Sequence, residues 1–111
     1  MPRPIRRIEI YLPLDYNDGR PIEESKFIHL EDELLDRFAG LTAVQRQFPL
    51  QGLWRSSSEV FRDRVVIFTA IDFQTKTDFE IVHYLERLKR RLKKKFAQLE
   101  VLITLQNLMA I

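Results

Sequence analysis

Histidine and carboxylate side chains are the first candidates for chemistry in this sequence. His29 and His83 are its two histidines. Glu33 lies one helical turn after His29, and Glu80 and Glu86 lie three residues before and after His83. Such groups could hold a metal ion between two helices, but a recognised spacing such as His-Glu-x-x-His is missing. We therefore expect no metal site and interpret both histidines as ordinary, partly exposed side chains.

Nucleophilic catalysis has little support in the residue types. The chain has no cysteine, which excludes disulfides, thiolate metal ligands and a cysteine nucleophile. Ser25 and the serines at 56–58 lie outside any nucleophile-elbow motif, and the three glycines form no phosphate-binding loop. We expect no cofactor, and the sequence favours a binding role over catalysis.

Basic residues are concentrated near the C-terminus. Residues 81–111 carry 7 Lys/Arg against 2 Asp/Glu, whereas residues 1–80 carry 11 against 14. Clustered cations are typical of sites that bind polyanions. The candidates share one predicted helix: Arg87, Arg90, Arg91, Lys94 and Lys95. The alternative is that this basic helix pairs with an acidic helix that precedes it, and that its exposed charges are only solvated.

Periodicity predicts the elements that position these groups. Residues 7–14 alternate apolar and polar side chains, as a strand with one apolar face does. Residues 62–73 are β-branched and aromatic on both faces, which is typical of a buried central strand. Helical spacing covers residues 21–39 and the segment from Thr77 or Asp78 to Leu99. Two further strands are predicted: 41–55, interrupted at Pro49, and 100–111.

The predicted order of elements is β-α-β-β-α-β. This order predicts an α+β, ferredoxin-like fold, with a four-stranded antiparallel sheet in the order 4-1-3-2 and two helices on one face. A chain of 111 residues fits one such domain, spanning 1–111. No segment reaches transmembrane length and no signal-peptide pattern is present, so we expect a cytoplasmic protein without a membrane partner.

The sheet face opposite the helices is predicted to be an interface. If Ile8, Ile10 and Leu12 face the helices together with Phe61, Val65, Ile67 and Ile71, the open face is apolar at its centre and charged at its rim. The predicted interface consists of Tyr11, Arg62, Arg64, Val66, Phe68 and Leu102, with Ala70, Arg7 and Gln106 beside them.

Three partners could cover that face. A second copy would give an isologous homodimer, the commonest form of soluble oligomer and our first interpretation. Single-stranded RNA could stack on Tyr11 and Phe68, but the run from Arg64 to Phe68 lacks the glycines and paired aromatics of an RNA-recognition motif. Nucleic acid is therefore a disfavoured partner. A small ligand is the third alternative.

Two short motifs resemble a known group of proteins. Phe38-Ala-Gly40-Leu-Thr42 and Gly52-Leu-Trp54 match Phe-x-Gly-x-Thr and Gly-x-Trp. In these the sequence resembles a family of small uncharacterised bacterial ferredoxin-like domains, over about half of the chain. The resemblance implies the fold and no established activity. Trp54 either closes the edge of the core, which is the interpretation we favour, or, with Arg55 and Asp63, forms the wall of a pocket between sheet and helix.

The resulting hypothesis is a small binding or assembly domain that associates with itself through the open sheet face. An alternative is a small-molecule enzyme of the dimeric α+β barrel type, with Trp54, Asp63, His29 or His83 in an apolar pocket. A further alternative is a nucleic-acid-binding module that uses the basic helix with Tyr11 and Phe68.

Overall fold

A computed structural model describes residues 1–38, 40–42, 50–56, 59–73 and 77–111, with side chains for 1–38, 64–73 and 77–111. This part of the chain holds five strands and two helices. They are, in order, β1 (Arg3–Pro13), α1 (Glu24–Arg37), β2 (Gly40–Thr42), β3 (Leu50–Ser56), β4 (Glu59–Asp72), α2 (Asp78–Lys95) and β5 (Leu102–Ala110).

Three long strands form the body of an antiparallel sheet. β1 lies in the middle, with β4 on one side and β5 on the other, so that these strands and the two helices follow a β-α-β-α-β layout. β2 and β3 both pair with β4, β2 near its C-terminal end and β3 near its N-terminal end. The architecture is therefore α+β, and the three long strands β4, β1 and β5 form the main part of the sheet.

The predicted four-stranded ferredoxin-like sheet is wrong. The segment expected to form one strand over residues 41–55 contributes two separate strands, β2 and β3. Thr42 lies opposite Thr69 and Leu50 opposite Val65. Thr42 and Leu50 are thus eight residues apart, whereas their partners are only four residues apart, so one continuous strand cannot satisfy both registers. The expected interruption at Pro49 falls outside the described residues.

The hydrophobic core lies between the sheet and both helices. Ile8, Ile10 and Leu12 of β1 are fully buried, as the alternation in this strand predicts. The helices contribute the apolar residues that recur every three or four positions: Phe27, Leu30 and Leu34 from α1, and Ile81, Leu85, Leu88 and Leu92 from α2. Phe27 stacks on Phe68 with ring centroids 6.1 Å apart and meets Phe96 at 5.3 Å.

The predicted orientation of the central strand is wrong. Register pairs Ile10 with Phe68 and Leu12 with Val66, so these β4 side chains share the helix-facing side and have no exposed surface. Ala70 is buried beside Ile8 in the same way. Both faces of β4 are apolar, so its own sequence cannot tell which face is covered; its pairing with β1 decides.

Local signals at the helix ends give mixed results. The expected start of α2 is confirmed: Thr77 is the N-cap, its hydroxyl accepts a hydrogen bond from the Glu80 backbone, and the Glu80 carboxylate accepts one from the Thr77 backbone. Gly40 does not cap α1. α1 ends at Arg37, Phe38 is extended, and Gly40 already pairs with Ile71 in β2.

A buried ion pair joins β1, β4 and α2. The Arg6 guanidinium donates to Asp72 Oδ2 at 2.5 Å and to Asp78 Oδ1 at 2.5 and 2.9 Å. The Arg6 and Asp72 side chains are only 4% and 2% exposed, whereas Asp78 is 77% exposed at the start of α2. The two buried charges depend on each other, because burial removes the water that would solvate either one alone.

Removal of one buried partner should destabilise the fold. We expect Asp72→Ala to lower the free energy of unfolding by about 2 kcal/mol, because the buried Arg6 loses one of its two carboxylate partners and keeps Asp78. Urea denaturation measures this. As the matched control, Lys89→Ala breaks the exposed Lys89–Glu100 pair and should cost less than about 1 kcal/mol. Equal losses in the two variants would contradict the interpretation.

Candidate functional site

A basic groove runs between the end of α1 and the middle of α2. It has a volume of about 710 Å³. Its lining side chains are mainly cationic, and we call this set the basic groove: Arg37, Tyr84, Arg87, Arg90, Arg91, Lys93 and Lys94. Volumes of this order are typical of small-ligand sites.

Helical periodicity places these cations on one flank of α2. Tyr84, Arg87, Arg91 and Lys94 follow each other at intervals of three or four residues, so they lie along one side of the helix. Another side carries the apolar residues that face the sheet, including Leu88. The packing of the apolar stripe therefore determines which way the basic stripe points.

Glu33 of α1 ties the two helices together at the groove. Tyr84 Oη donates to Glu33 Oε2 at 2.5 Å, and Arg91 donates from both terminal nitrogens to the two oxygens of Glu33 at 2.9 and 2.7 Å. Arg37 lies over the Tyr84 ring, with its guanidinium carbon 4.2 Å from the ring centroid. These contacts fix the orientation of the groove wall.

The protonation states at this contact follow from its geometry. The Arg91 hydrogen bonds lower the pKa of Glu33, and the Tyr84 hydrogen bond acts in the same direction. Burial, followed by the bond to Glu33, raises the pKa of Tyr84 well above its usual value. Glu33 is therefore charged and Tyr84 neutral at neutral pH.

Most cations of the groove lack a counter-ion. Within the ranges where side chains are described, Arg87, Arg90, Lys93 and Lys94 form no ion pair. Arg91 is the groove cation that pairs with α1, through Glu33, and Lys89 pairs with Glu100. The predicted pairing of the acidic helix with the basic helix is therefore seen at the Arg91–Glu33 contact, among the described side chains of the groove.

The structure brings together four of the five predicted polyanion-binding residues. Arg87, Arg90, Arg91 and Lys94 line the groove, whereas Lys95 lies at a neighbouring depression of about 60 Å³. The predicted polyanion-binding set omitted Arg37, Tyr84 and Lys93. The spacing from Tyr84 to Arg87 and Arg91 was a usable signal for Tyr84. Arg37 had none, since it reaches the groove from another helix.

The predicted histidine positions remain separate. His29 is exposed on α1 and lines the small depression with Glu33 and Lys95. His83 is exposed on α2 and stacks on Phe79 at 5.8 Å. Among the described residues, no group of three His, Cys, Asp or Glu side chains is placed to hold a metal ion.

The open sheet face differs from the predicted interface. Val66 and Phe68 lie in the core, and Arg64 binds Asp15 at 2.7 and 3.0 Å just past the end of β1. Tyr11 and Leu102 do lie opposite each other on the open face. The side chains of Arg62, Trp54 and Asp63, and that of Phe61, lie outside the described ones.

Rows of paired residues define what this face carries. Tyr11 pairs with Ile67 and Leu102, which gives an apolar row across three strands. The next row is polar: Glu9, Thr69 and Thr104. The row after that combines Arg7, Ile71 and Gln106, and Gln106 accepts a hydrogen bond from Arg7 at 2.6 Å. The centre of the face is therefore polar rather than apolar as expected. The apolar row of Tyr11, Ile67 and Leu102 lies to one side of it, at the start of β5.

The two sequence motifs lie at opposite ends of the outer β4 edge. Gly40 of the first motif pairs with Ile71, and Gly52 of the second pairs with Asp63. These partners are eight residues apart, which is about 27 Å along a strand. One small ligand cannot contact both motifs within a single chain.

Comparison with known proteins gives one informative likeness. No family model matches the sequence, and no curated protein matches it significantly. A solved phage SAM lyase in complex with S-methyl-5'-thioadenosine is similar in structure, with a TM-score of 0.68. Sequence identity is 15%, and the match covers 92% of this chain and 80% of the lyase. At that identity the likeness concerns the fold.

Neither described helix is long and apolar enough to cross a membrane.

The Glu33 contact should make stability depend on pH. Because the pKa of Glu33 is lower in the folded protein than in the unfolded chain, its contribution is complete above the unfolded value and is lost as pH falls through the folded value. We expect Glu33→Gln to cost about 1 kcal/mol at about pH 7 and progressively less below about pH 4. Urea denaturation across this pH range measures both.

Asp32→Asn is the matched control, since Asp32 is the exposed neighbour of Glu33 on the same helix. It should change stability little at either pH. A Glu33→Gln cost that stays constant down to strongly acidic pH would contradict the assigned ion pair.

Proposed function

We propose that this protein is a small-molecule-binding domain with an enzyme-like fold, and that its ligand is an adenosine-derived sulfur compound. The observation that carries the proposal is the structural likeness to the SAM lyase complex over nearly the whole chain. S-methyl-5'-thioadenosine and SAM are the first compounds to test. Fold likeness alone does not define a ligand, so binding has to be measured.

The basic groove is a poor location for this ligand. SAM carries a sulfonium and an ammonium group, and unpaired arginines and lysines repel cations. We place the ligand instead at the β3 end of the outer β4 edge, away from the basic groove, where Trp54 lies opposite Phe61. Trp54 on β3 is the protein's one tryptophan, so its fluorescence reports on one end of that edge.

Ligand binding should raise the melting temperature. We expect millimolar S-methyl-5'-thioadenosine or SAM to raise Tm by several degrees, because a ligand at about 100 times its dissociation constant stabilises a protein by about 2.7 kcal/mol. Adenosine and methionine serve as fragment controls and should shift Tm less. Chromatography of SAM incubated with the protein tests for release of S-methyl-5'-thioadenosine.

Trp54 fluorescence adds a second readout. A ligand bound near β3 should change the emission, whereas Trp54→Phe should abolish the signal and keep the Tm shift. Absence of any Tm shift with both compounds at millimolar concentration would overturn the proposed ligand class.

Self-association is a second candidate function, and the apolar row of Tyr11, Ile67 and Leu102 favours it. Leu102 is 54% exposed, and all three lie on the sheet face that the helices leave open. A second copy is the proposed occupant because the face is self-complementary in charge. It carries both Arg7 and Glu9, which form a long ion pair of 4.0 Å within one chain, and the buried Arg7 Nε has no hydrogen-bond partner in the described part of the chain.

The β3–β4 hairpin adds to this argument. β4 pairs with β1 only from Val65 onward, so residues 59–64 of β4 pair with β3 beyond the end of β1. This two-stranded extension spans about 20 Å. Isolated two-stranded ribbons are marginal in water, so contact with a second copy would stabilise the extension.

The open face should control the mass in solution. We expect light scattering to give twice the 13.3 kDa chain mass. Leu102→Arg should reduce it to the monomer, because it places a charge in the apolar row. Leu99→Arg is the control, since Leu99 is exposed outside the sheet. A monomeric wild-type protein at high concentration would overturn this second candidate.

A further inference from the structure

We propose that the basic groove binds a compact, multiply charged phosphate anion, of the tripolyphosphate or nucleoside triphosphate class. The proposal is independent of the adenosine-sulfur ligand, which is cationic or neutral and belongs elsewhere on the molecule. It rests on the charge, the rigidity and the shape of the groove.

The charge of the groove is uncompensated. Arg87, Arg90, Lys93 and Lys94 have no ion-pair partner among the described side chains. Several of them stand three or four residues apart on α2, where like charges destabilise a helix by about 0.2–0.5 kcal/mol per pair. The helix dipole favours Lys93 and Lys94, which lie in the last turn of α2, but it does not account for Arg87 and Arg90, and a bound anion would relieve their repulsion.

Part of the groove is organised before any ligand binds. Arg91 is held by two hydrogen bonds to Glu33, and Arg37 lies flat against the Tyr84 ring. The Arg37 Nε is buried and has no hydrogen-bond partner among the described residues. Arg91 already uses its fork on Glu33 and therefore positions the groove wall, whereas the held Arg37 guanidinium loses less conformational entropy when it binds a phosphate.

The shape favours a compact anion over a nucleic-acid strand. The groove is open to solvent and has a volume of about 710 Å³, and Arg87 to Lys94 covers about 10 Å of helix. α1, which borders the groove through Arg37, exposes the carboxylates of Asp32 and Asp36. A long polyanion that left the groove on this side would meet negative charge, whereas a compact one would not.

Titration with inorganic tripolyphosphate tests the proposal. At about 50 mM salt, calorimetry should show one saturable site per chain, with affinity that falls steeply towards about 200 mM salt. Arg87→Gln with Arg90→Gln should weaken binding about tenfold or more. Without phosphate, this double variant should melt at the same or a higher temperature than wild type, because it removes like charges from α2.

The matched control is Arg20→Gln with Lys89→Gln, which removes two positive charges outside the groove. It should keep the wild-type affinity for tripolyphosphate. An equal loss of affinity in this control would show that binding depends only on the net charge of the protein, and it would contradict a site in the groove. Absence of saturable binding at low salt would overturn it as well.

A parallel titration with a short single-stranded RNA distinguishes a compact phosphate anion from a nucleic-acid strand as the ligand. An oligonucleotide with as many phosphates as tripolyphosphate should bind more weakly, because its charge is spread out. Tighter binding of the RNA, lost in the groove variant, would overturn the compact-anion proposal in favour of a nucleic-acid surface.

Discussion

The antiparallel register between β1 and β4 is the constraint on which the rest of the structure depends. It sets Ile8, Ile10 and Leu12 beside Ala70, Phe68 and Val66, and this layer of six side chains is covered by both helices. Full burial of an aliphatic or aromatic side chain contributes about 1.5–3 kcal/mol. A shift by one residue would turn the polar side chains of β1, Arg7 and Glu9 among them, into the core, so the register is strongly specified.

The register also determines where the helices can lie, and through them the surface chemistry. α2 packs its apolar stripe on the sheet, which directs Arg87, Arg90 and Lys94 towards the end of α1. Glu33 satisfies Arg91 and holds Tyr84, so the contact between an acidic and a basic helix is local. The acidic helix therefore leaves most of the basic groove without a counter-charge.

The proposed adenosine-sulfur ligand and the proposed phosphate anion differ in charge. The shared fold persists at 15% identity, which shows that this layering of helices on a sheet tolerates extensive replacement of side chains. A sulfonium compound and a phosphate anion require opposite electrostatic surroundings, so we propose different places for the two ligands. The outer edge of β4, where the two sequence motifs lie 27 Å or so apart, and the groove on α2 offer such separate places.

Features that depend on neighbouring residues were determined by the sequence itself. The Thr77 capping box, the alternation in β1 and the cluster of cations on α2 all arise from contacts within four residues along the chain. The covered face of β4, the division of the second strand into β2 and β3, and the position of Arg37 over Tyr84 were decided only by the tertiary structure. Both faces of β4 are apolar, and Arg37 and Tyr84 are 47 residues apart. Only pairing between distant segments can resolve such choices, because no local periodicity encodes them.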